Sequence, residues 1–184
     1  MSYLLKDSVQ FAADRLWHLF GLRDSSGQIY PSDWNSGPVL AEAVRDTRKK
    51  LNIVADHLLP SFYAGHLFLD ALRHSVESSP DLEIGIIATF GAQSRDSAVE
   101  SLQRDHAGLL EILQGCRLHR VYWAEAQPKY HFAVADNFVL REEKHQPGQP
   151  RRVQINHYSP AKAREYLFHF ESMTLCPLAH PLDI

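Results

Sequence analysis

Residues Leu82–Phe90 read LEIGIIATF, an apolar run in which Glu83 and Thr89 are the polar side chains. A strand with one face in water alternates apolar and polar residues, whereas a strand covered on both faces is apolar almost throughout. The segment therefore predicts a central strand of a sheet that carries helices on both sides.

The neighbouring segments alternate between strand and helix patterns, which is typical of parallel strands joined by crossover helices. Serine often caps a helix and proline is tolerated in its first turn, so Ser36 and Pro38 predict a helix start. The pattern Ser97–Glu100 resembles a capping box and predicts the start of another helix. The apolar stripe of that helix ends at Gly115. The predicted elements are a helix after Ser36, strand Leu51–Ala55, helix Gly65–Glu77, strand Leu82–Phe90, helix Ser97–Gly115 and strand Cys116–Ala124.

The second half of the chain predicts antiparallel pairing followed by a closing helix. Asp136 and Asn137 tolerate positive φ and separate two apolar runs, which indicates a hairpin. The predicted elements are strands Tyr130–Ala135, Phe138–Glu142 and Val153–Asn156, and a helix from Pro160 to Met173.

These elements together predict an α/β fold, a single-domain mixed sheet flanked by helices on both faces. Residues 1–35 are expected to form an N-terminal extension with a short helix over Val9–Phe20. Residues 36–176 form the predicted domain, and residues 177–184, which are rich in proline, are expected to be an irregular tail.

Composition excludes several classes of protein. The 184 residues carry a formal net charge of −3, so no global basic field attracts nucleic acid or an anionic membrane, and such binding needs a local patch. Two cysteines make neither a disulfide framework nor a zinc site, and the 11 histidines lack ligand spacing, so no metal and no cofactor are predicted. No signal peptide or membrane-spanning run is recognised, which predicts a cytoplasmic protein.

The segment Lys129–Asn137 (KYHFAVADN) carries a histidine on an apolar strand that runs into a turn. With the period of two of a strand, Lys129, His131 and Ala133 share one face. The alanine leaves room for a small group beside the imidazole but supplies no charge, and Lys129 could supply it. The structural alternative is a histidine that is hydrogen-bonded at the end of a hairpin.

The order of the elements over residues 36–173 resembles one half of the phospholipase D superfamily. In that superfamily a histidine-bearing strand follows two strand–helix units, and a closing helix ends in an aromatic residue, as Arg164–Phe170 (REYLFHF) does here. The resemblance implies the α/β fold of that superfamily and a phosphate-bearing ligand.

The signature of the superfamily is histidine, any residue, lysine, four residues and aspartate, with a small residue and an asparagine downstream. The resemblance makes His131 the nucleophile and Asn156 the downstream asparagine. Ala133 stands where the lysine belongs, and Asp136 lies two positions before the expected aspartate. The chain in this respect resembles the non-catalytic members, which keep the fold as a binding module. Some of those bind phospholipid head groups, and others occur in bacterial conflict systems.

Several residues outside the motif are candidates for contact with a phosphate. Arg141 lies near the end of the second predicted hairpin strand and could bind an anion through two guanidinium nitrogens on the His131 face. Asp56 and His57 follow a parallel strand at the end where open α/β sheets bind ligands. A further group combines cations with rings that stack on bases, as in single-strand binders, although a solvated surface is the alternative. This group is Arg151, Arg152, His157, Tyr158, Lys162 and Arg164.

Three functions are compatible with these residues. The first is a pseudoenzyme, a phospholipase D-like module or complex subunit that binds a phosphate-bearing ligand, nucleic acid or a protein, and that could serve antiviral defence. The second is a metal-independent phosphodiesterase or nuclease in a homodimer, in which His131 attacks, Lys129 or Arg141 neutralises the phosphate and Asp136 orients the imidazole. The third is a protein-interaction or regulatory protein that pairs with its partner along Phe138–Glu142.

Overall fold

The computed structural model describes residues 28–30, 37–58, 60–128, 130–143, 152–156 and 158–184, and within them eight strands form one mixed sheet. The strands are β1 Gln28–Tyr30, β2 Lys50–Ala55, β3 Glu83–Ala88, β4 Leu118–Ala124, β5 Tyr130–Ala135, β6 Phe138–Glu143, β7 Arg152–Asn156 and β8 Ala179–Leu182. The helices are α1 Gly37–Arg45, α2 Pro60–Tyr63, α3 His66–Ser78, α4 Arg95–Asp105, α5 Ala107–Gly115 and α6 Pro160–Thr174. The strand order is β1-β7-β6-β5-β2-β3-β4-β8.

The centre of the sheet is parallel, as the apolar run Leu82–Phe90 predicts. β2, β3 and β4 run side by side in the same direction. On β3, Ile86 packs into the core on one face of the sheet and Ile87 into the core on the other. The predicted α/β class, with helices on both faces of a mixed sheet, is confirmed.

The remaining strands pair in the antiparallel sense. β5 lies against β2 and forms a hairpin with β6, and β7 and β1 follow in turn. The hairpin turns at Asp136 and Asn137, and Asp136 adopts a φ of 50°, which aspartate tolerates better than most residues. β6 has neighbours on both sides, so the prediction that a partner pairs along Phe138–Glu142 as an edge strand is wrong.

The two faces of the sheet are covered differently. Helices α1 to α5 cover one face, called here the α1–α5 face, with Phe68 and Leu72 in its core. The other, the α6 face, packs against α6 through Tyr166 and Phe170. Gly85 allows this close approach, since a Cβ there would lie 2.5 Å from Cζ of Phe170.

The helix predicted over Ser97–Gly115 is two helices that meet at His106. The His106 N–H donates to the carbonyl of Leu102 (3.0 Å) and ends α4, while its carbonyl accepts from Leu110 (2.9 Å) and begins α5. The capping box lies three residues earlier than predicted. Ser94 and Ser97 each accept the main-chain N–H of the other through their hydroxyl groups.

The ends of the predicted domain also differ from the structure. The tail expected to be irregular contains β8, which pairs antiparallel with β4. Pro181 lacks an N–H group, and its place on an edge strand satisfies that restriction. Gln28–Tyr30, expected in the N-terminal extension, forms β1 and pairs with β7. The predicted helix Val9–Phe20 lies outside the described residues.

None of the helices in the described ranges combines the length and apolar character that crossing a membrane requires. The cytoplasmic location stays a prediction.

Candidate ligand site at the carboxyl edge of the sheet

The parallel strands β2, β3 and β4 end at the same edge of the sheet, and open α/β sheets bind ligands outside the carboxyl ends of their strands. β5 runs in the opposite direction, so it begins at this edge. Its register pairs Phe132 with Val54, which places His131 level with Ala55 at the end of β2. The structure thus brings the predicted site histidine to the edge where a ligand is expected.

The row of residues level with His131 contains a second histidine at its far end. Ala55 pairs with Ala88, Ala88 with Trp123, and Trp123 with His180. His131 and His180 are separated by four strand spacings, or about 19 Å. The two imidazoles of one chain are therefore too far apart to act on the same phosphorus atom.

The loop after β2 is fixed to the end of β3. The main-chain N–H of Thr89 donates to the carbonyl of Asp56 (2.9 Å), and its hydroxyl donates to the same carbonyl and to the carboxylate (3.2 Å). The carboxylate lies 3.9 Å from Nε2 of His57, whose side chain is half exposed. Asp56 is thus a buried anchor, and His57 presents its ring at the carboxyl edge.

A tight turn after β3 supports that ring. The N–H of Ala92 donates to the carbonyl of Thr89 (3.0 Å), and the two central residues, Phe90 and Gly91, have φ values of 54° and 65°. Positive φ at both central residues is the geometry of a type I′ turn, which is strained for a bulky residue. A Cβ at Gly91 would lie 3.3 Å from Nδ1 of His57, so the glycine also makes room for the imidazole.

A fourth histidine, His106, is hydrogen-bonded to the same loop. His106 is buried, and burial lowers the pKa of its imidazole, while the Asp105 carboxylate and a hydrogen bond with the main chain of Leu58 act in the opposite direction. Leu58 follows His57 directly, so the joint between α4 and α5 is linked to the loop at the candidate site. The apolar stripe of the helix predicted over Ser97–Gly115 contains His106 but gave no indication of a link to this loop.

The pair of His180 and Glu125 is a feature that the sequence did not reveal. Nε2 of His180 lies 2.7 Å from a carboxylate oxygen of Glu125, and its ring stacks on Trp123 with 5.4 Å between centroids. The tail was expected to be irregular, so nothing indicated that His180 would pair beside β4. This pair lies at the carboxyl edge, on the side away from His131.

Asp136 does not lie beside His131. Its carboxylate accepts the main-chain N–H groups of Arg48, Lys49 and Lys50 at 2.8 to 2.9 Å, at the amino end of β2. Five residues of extended strand separate it from His131, or about 16 Å. The prediction that Asp136 orients the imidazole is therefore wrong within one chain, and the residue instead anchors the start of β2.

Arg141 lies on the opposite face of the sheet from His131. In the hairpin register His131 pairs with Glu142, and Arg141 pairs with Phe132, so Arg141 shares the α6 face with Phe132. Burial raises the pKa of Tyr166 on α6, and the charge and hydrogen bond of Arg141 lower it in part. The predicted reach of Arg141 toward the His131 face is wrong, because alternate residues of a strand point to opposite sides.

Asn156 is also placed away from His131. It pairs with Val139 on the α6 face and is buried, and within the described residues its Oδ1 accepts no hydrogen bond. Val153 is the residue of β7 that lies level with His131. Asn156 lies three residues further along β7, about 10 Å from Val153. The structure therefore does not bring Asn156 to the site for which the resemblance proposed it.

The predicted basic group is described only in part. Lys129, Arg151 and His157 lie outside the described residues. The main chain of Arg152 begins β7 and pairs with Glu143, which in turn pairs with Tyr130, so Arg152 enters the sheet at the carboxyl edge. Its main chain lies two strand spacings from β5, or about 10 Å.

The helix that follows carries the remaining members of that group. Ser159 caps α6 by accepting the N–H of Lys162 (3.4 Å), whose ammonium group pairs with Glu165 at 2.8 Å. Tyr158 and Arg164 are exposed. In the part of the chain that the structure describes, no three His, Cys, Asp or Glu side chains are grouped to hold a metal ion.

Several solved structures share this fold. TrmBL2, an archaeal chromatin protein with a novel mode of DNA binding, has a TM-score of 0.59 and 12% identity over 94% of this chain, which spans 62% of the length of that one. Nuc from Salmonella typhimurium, a phospholipase D family member, has a TM-score of 0.55 and 11% identity over 86% of this chain and 99% of its own. Phosphatidylserine synthase from Haemophilus influenzae Rd KW20 has a TM-score of 0.59 and 15% identity over 86% of this chain and 39% of its own.

By sequence, no protein family and no curated protein matches the chain. At the identities of these structures the likeness is one of fold alone. The chain has an α/β fold like that of a phospholipase D family member, as the order of its elements predicts.

Proposed function

We propose that this chain is a non-catalytic binding module of phospholipase D-like fold that holds the phosphates of nucleic acid at the carboxyl edge of its sheet. One observation carries the proposal. His131 lies at the edge where such sheets bind ligands. Of the residues predicted to assist catalysis, Asp136 lies at the opposite edge of the sheet, and Arg141 lies on the opposite face.

Cleavage of a phosphodiester demands more than the described residues on the His131 face supply. A histidine nucleophile must be oriented, and a cation must stabilise the charge that develops on the phosphoryl oxygens. Ala133 follows His131 on the same face of β5 and is buried, so it contributes no charge there. Binding a phosphate requires hydrogen-bond donors and nearby cations but no oriented nucleophile.

The side chains that a phosphate could contact lie along the edge, where His57 is half exposed and Nε2 of His131 is buried. The imidazoles of His131 and His57 lie at the ends of the adjacent strands β5 and β2. The main chain of Arg152 enters the sheet two strands beyond β5, and a cation there would add charge-assisted hydrogen bonds. The fold shared with a DNA-binding chromatin protein and with a phospholipase D family member supports a phosphate-bearing ligand.

The test measures binding and cleavage of labelled single-stranded and double-stranded DNA in EDTA, over a range of salt concentrations. We expect salt-sensitive binding without cleavage, weakened on the order of 10-fold by His131→Ala, which removes about one charge-assisted hydrogen bond. Arg152→Ala should also lower the slope of log affinity against log salt by about 1. Arg117→Ala is the matched control, because Arg117 is exposed next to the amino end of β4. This variant should bind DNA like the wild type.

Three results would overturn the proposal. Cleavage in EDTA that His131→Ala abolishes would establish the phosphodiesterase instead. Absence of DNA binding, or equal affinity of the wild type and both edge variants, would favour a protein partner. Roles as a subunit of a larger complex and in antiviral defence stay predictions.

A further inference from the structure

Helix α6 has one face on the sheet and one face in solvent. Ala163, Tyr166 and Phe170 are buried against the sheet, at the spacing of one helical face. The opposite face carries exposed residues at spacings of three and four, namely Ala161, Arg164, Phe168 and Ser172, and the C-cap residue Leu175 continues the series. We call these five residues the α6 stripe.

Two large apolar side chains of the α6 stripe are left in water. Phe168 is 71% exposed and Leu175 is 85% exposed, and the two lie seven residues apart, or two helical turns. Contiguous exposed apolar patches mark surfaces that contact other molecules, whereas a single exposed apolar side chain needs no explanation. The stripe is therefore a candidate interaction surface.

We propose that the α6 stripe packs antiparallel against the α6 stripe of a second copy of this chain, with Phe168 on the two-fold axis. A two-fold interface uses the same surface on both copies and must match itself. The stripe meets this condition, because Ala161 and Leu175 lie seven residues before and after Phe168. In the antiparallel pair each Leu175 packs over the small Ala161 of the other copy.

The polar positions of the stripe are compatible with the same arrangement. Arg164 and Ser172 lie four residues before and after Phe168, so the two-fold axis places them opposite each other. Within the described ranges Arg164 forms no ion pair, while Ser172 donates its hydroxyl to the carbonyl of Phe168. The serine oxygen keeps lone pairs that can accept from the guanidinium group.

The carboxylates that flank the stripe do not oppose this pairing. Glu165 and Glu171 lie three residues before and after Phe168, so they also face each other across the axis. Each pairs with a cation of its own chain, Glu165 with Lys162 at 2.8 Å and Glu171 with Arg120 at 2.6 Å. Both charges are neutralised before the copies meet.

The size of the contact indicates a weak dimer. A helix of 15 residues is about 22 Å long, since each residue adds about 1.5 Å. Two such helices packed about 9 Å apart bury on the order of 1,000 Å² in total, the lower bound for a specific interface. We therefore expect a reversible dimer with a dissociation constant in the micromolar range. Since α6 covers the face opposite to His131, this inference does not rest on DNA binding.

Sedimentation velocity over a range of concentrations tests the dimer. The wild type should shift from monomer to dimer as its concentration rises through the micromolar range, while Phe168→Asp and Leu175→Asp should stay monomeric. Leu67→Asp is the matched control, because Leu67 is 52% exposed in the first turn of α3, outside the stripe. It should dimerise like the wild type. A wild type that stays monomeric, or a Phe168→Asp protein that still dimerises, would overturn the inference.

Cysteine cross-linking tests the geometry without a charged substitution. In a Cys176→Ser background, which removes the exposed native thiol, F168C should form a disulfide with its own copy at the axis. A161C and L175C should form disulfides only when the two proteins are mixed, because the two copies of either residue lie about 21 Å apart. A self-linked L175C dimer, or an F168C protein that does not cross-link, would contradict the antiparallel arrangement.

Discussion

Asp136→Ala should destabilise the protein and leave the candidate site unchanged. The carboxylate accepts three main-chain N–H groups, two at exposed positions and one partly buried. Hydrogen bonds to a charged group contribute about 1.5–3 kcal/mol each. Because water can bind the exposed N–H groups when the carboxylate is removed, we take about 3 kcal/mol for the three bonds together. Alanine at a φ of 50° adds about 1 kcal/mol of backbone strain. The expected loss in the free energy of unfolding is about 4 kcal/mol.

Urea unfolding followed by circular dichroism at pH 7 measures that loss. Asp136→Asn is the matched control, because asparagine tolerates the same φ and keeps one acceptor oxygen, so it should lose about half as much. DNA affinity of the folded alanine variant should equal that of the wild type. An alanine variant within about 0.5 kcal/mol of the wild type that binds DNA poorly would refute the reasoning and assign the carboxylate to the site.

Three further changes test the fold around the site. Gly85→Ala should unfold the protein or cost at least about 3 kcal/mol, measured as a lower melting temperature, because the added Cβ would lie 2.3 Å from Oδ1 of Asn52 and 2.5 Å from Cζ of Phe170. Ser94→Ala should cost about 1 kcal/mol in urea unfolding, since it removes the cap of α4. Burial lowers the pKa of His106 in the folded protein, so below its unfolded value of 6.5 the unfolded chain binds a proton that the folded chain does not. The free energy of unfolding should therefore decrease as the pH is lowered below about 6.5. For His106→Gln this free energy should decrease less steeply with pH, and equal slopes for the two proteins would contradict the reasoning.

The elements themselves are predictable because the forces that form them are local. The apolar run Leu82–Phe90 needs cover on both faces wherever it lies, and β3 has that cover. Asp136 and Asn137 favour a turn by their own backbone preferences, and the hairpin turns there. The break at His106 was missed, because an apolar stripe has the same period through a helix and through two helices joined in line.

The sequence predicted that Arg141, Asp136 and Asn156 lie beside His131, and the structure places all three elsewhere. The alternation of β5 correctly places His131 and Ala133 on one face. The same alternation indicates that Arg141 lies on the face opposite to His131. A turn at Asp136 and Asn137 pairs His131 with Glu142, so Arg141 pairs with Phe132 on the other face. The resemblance carried Asp136 and Asn156 into the site by sequence order, although neither side chain lies near His131.

The sequence by itself determined the alternation of strands and helices, the hairpin turn and the mixed α/β class, because these follow from preferences of residues near one another in the chain. Only the tertiary structure decided that the last residues form β8, that Asp136 anchors the start of β2, and that His57 joins His131 at one edge. Each of these depends on hydrogen bonds between segments far apart in sequence. Local patterns do not encode which distant partner satisfies a main-chain group.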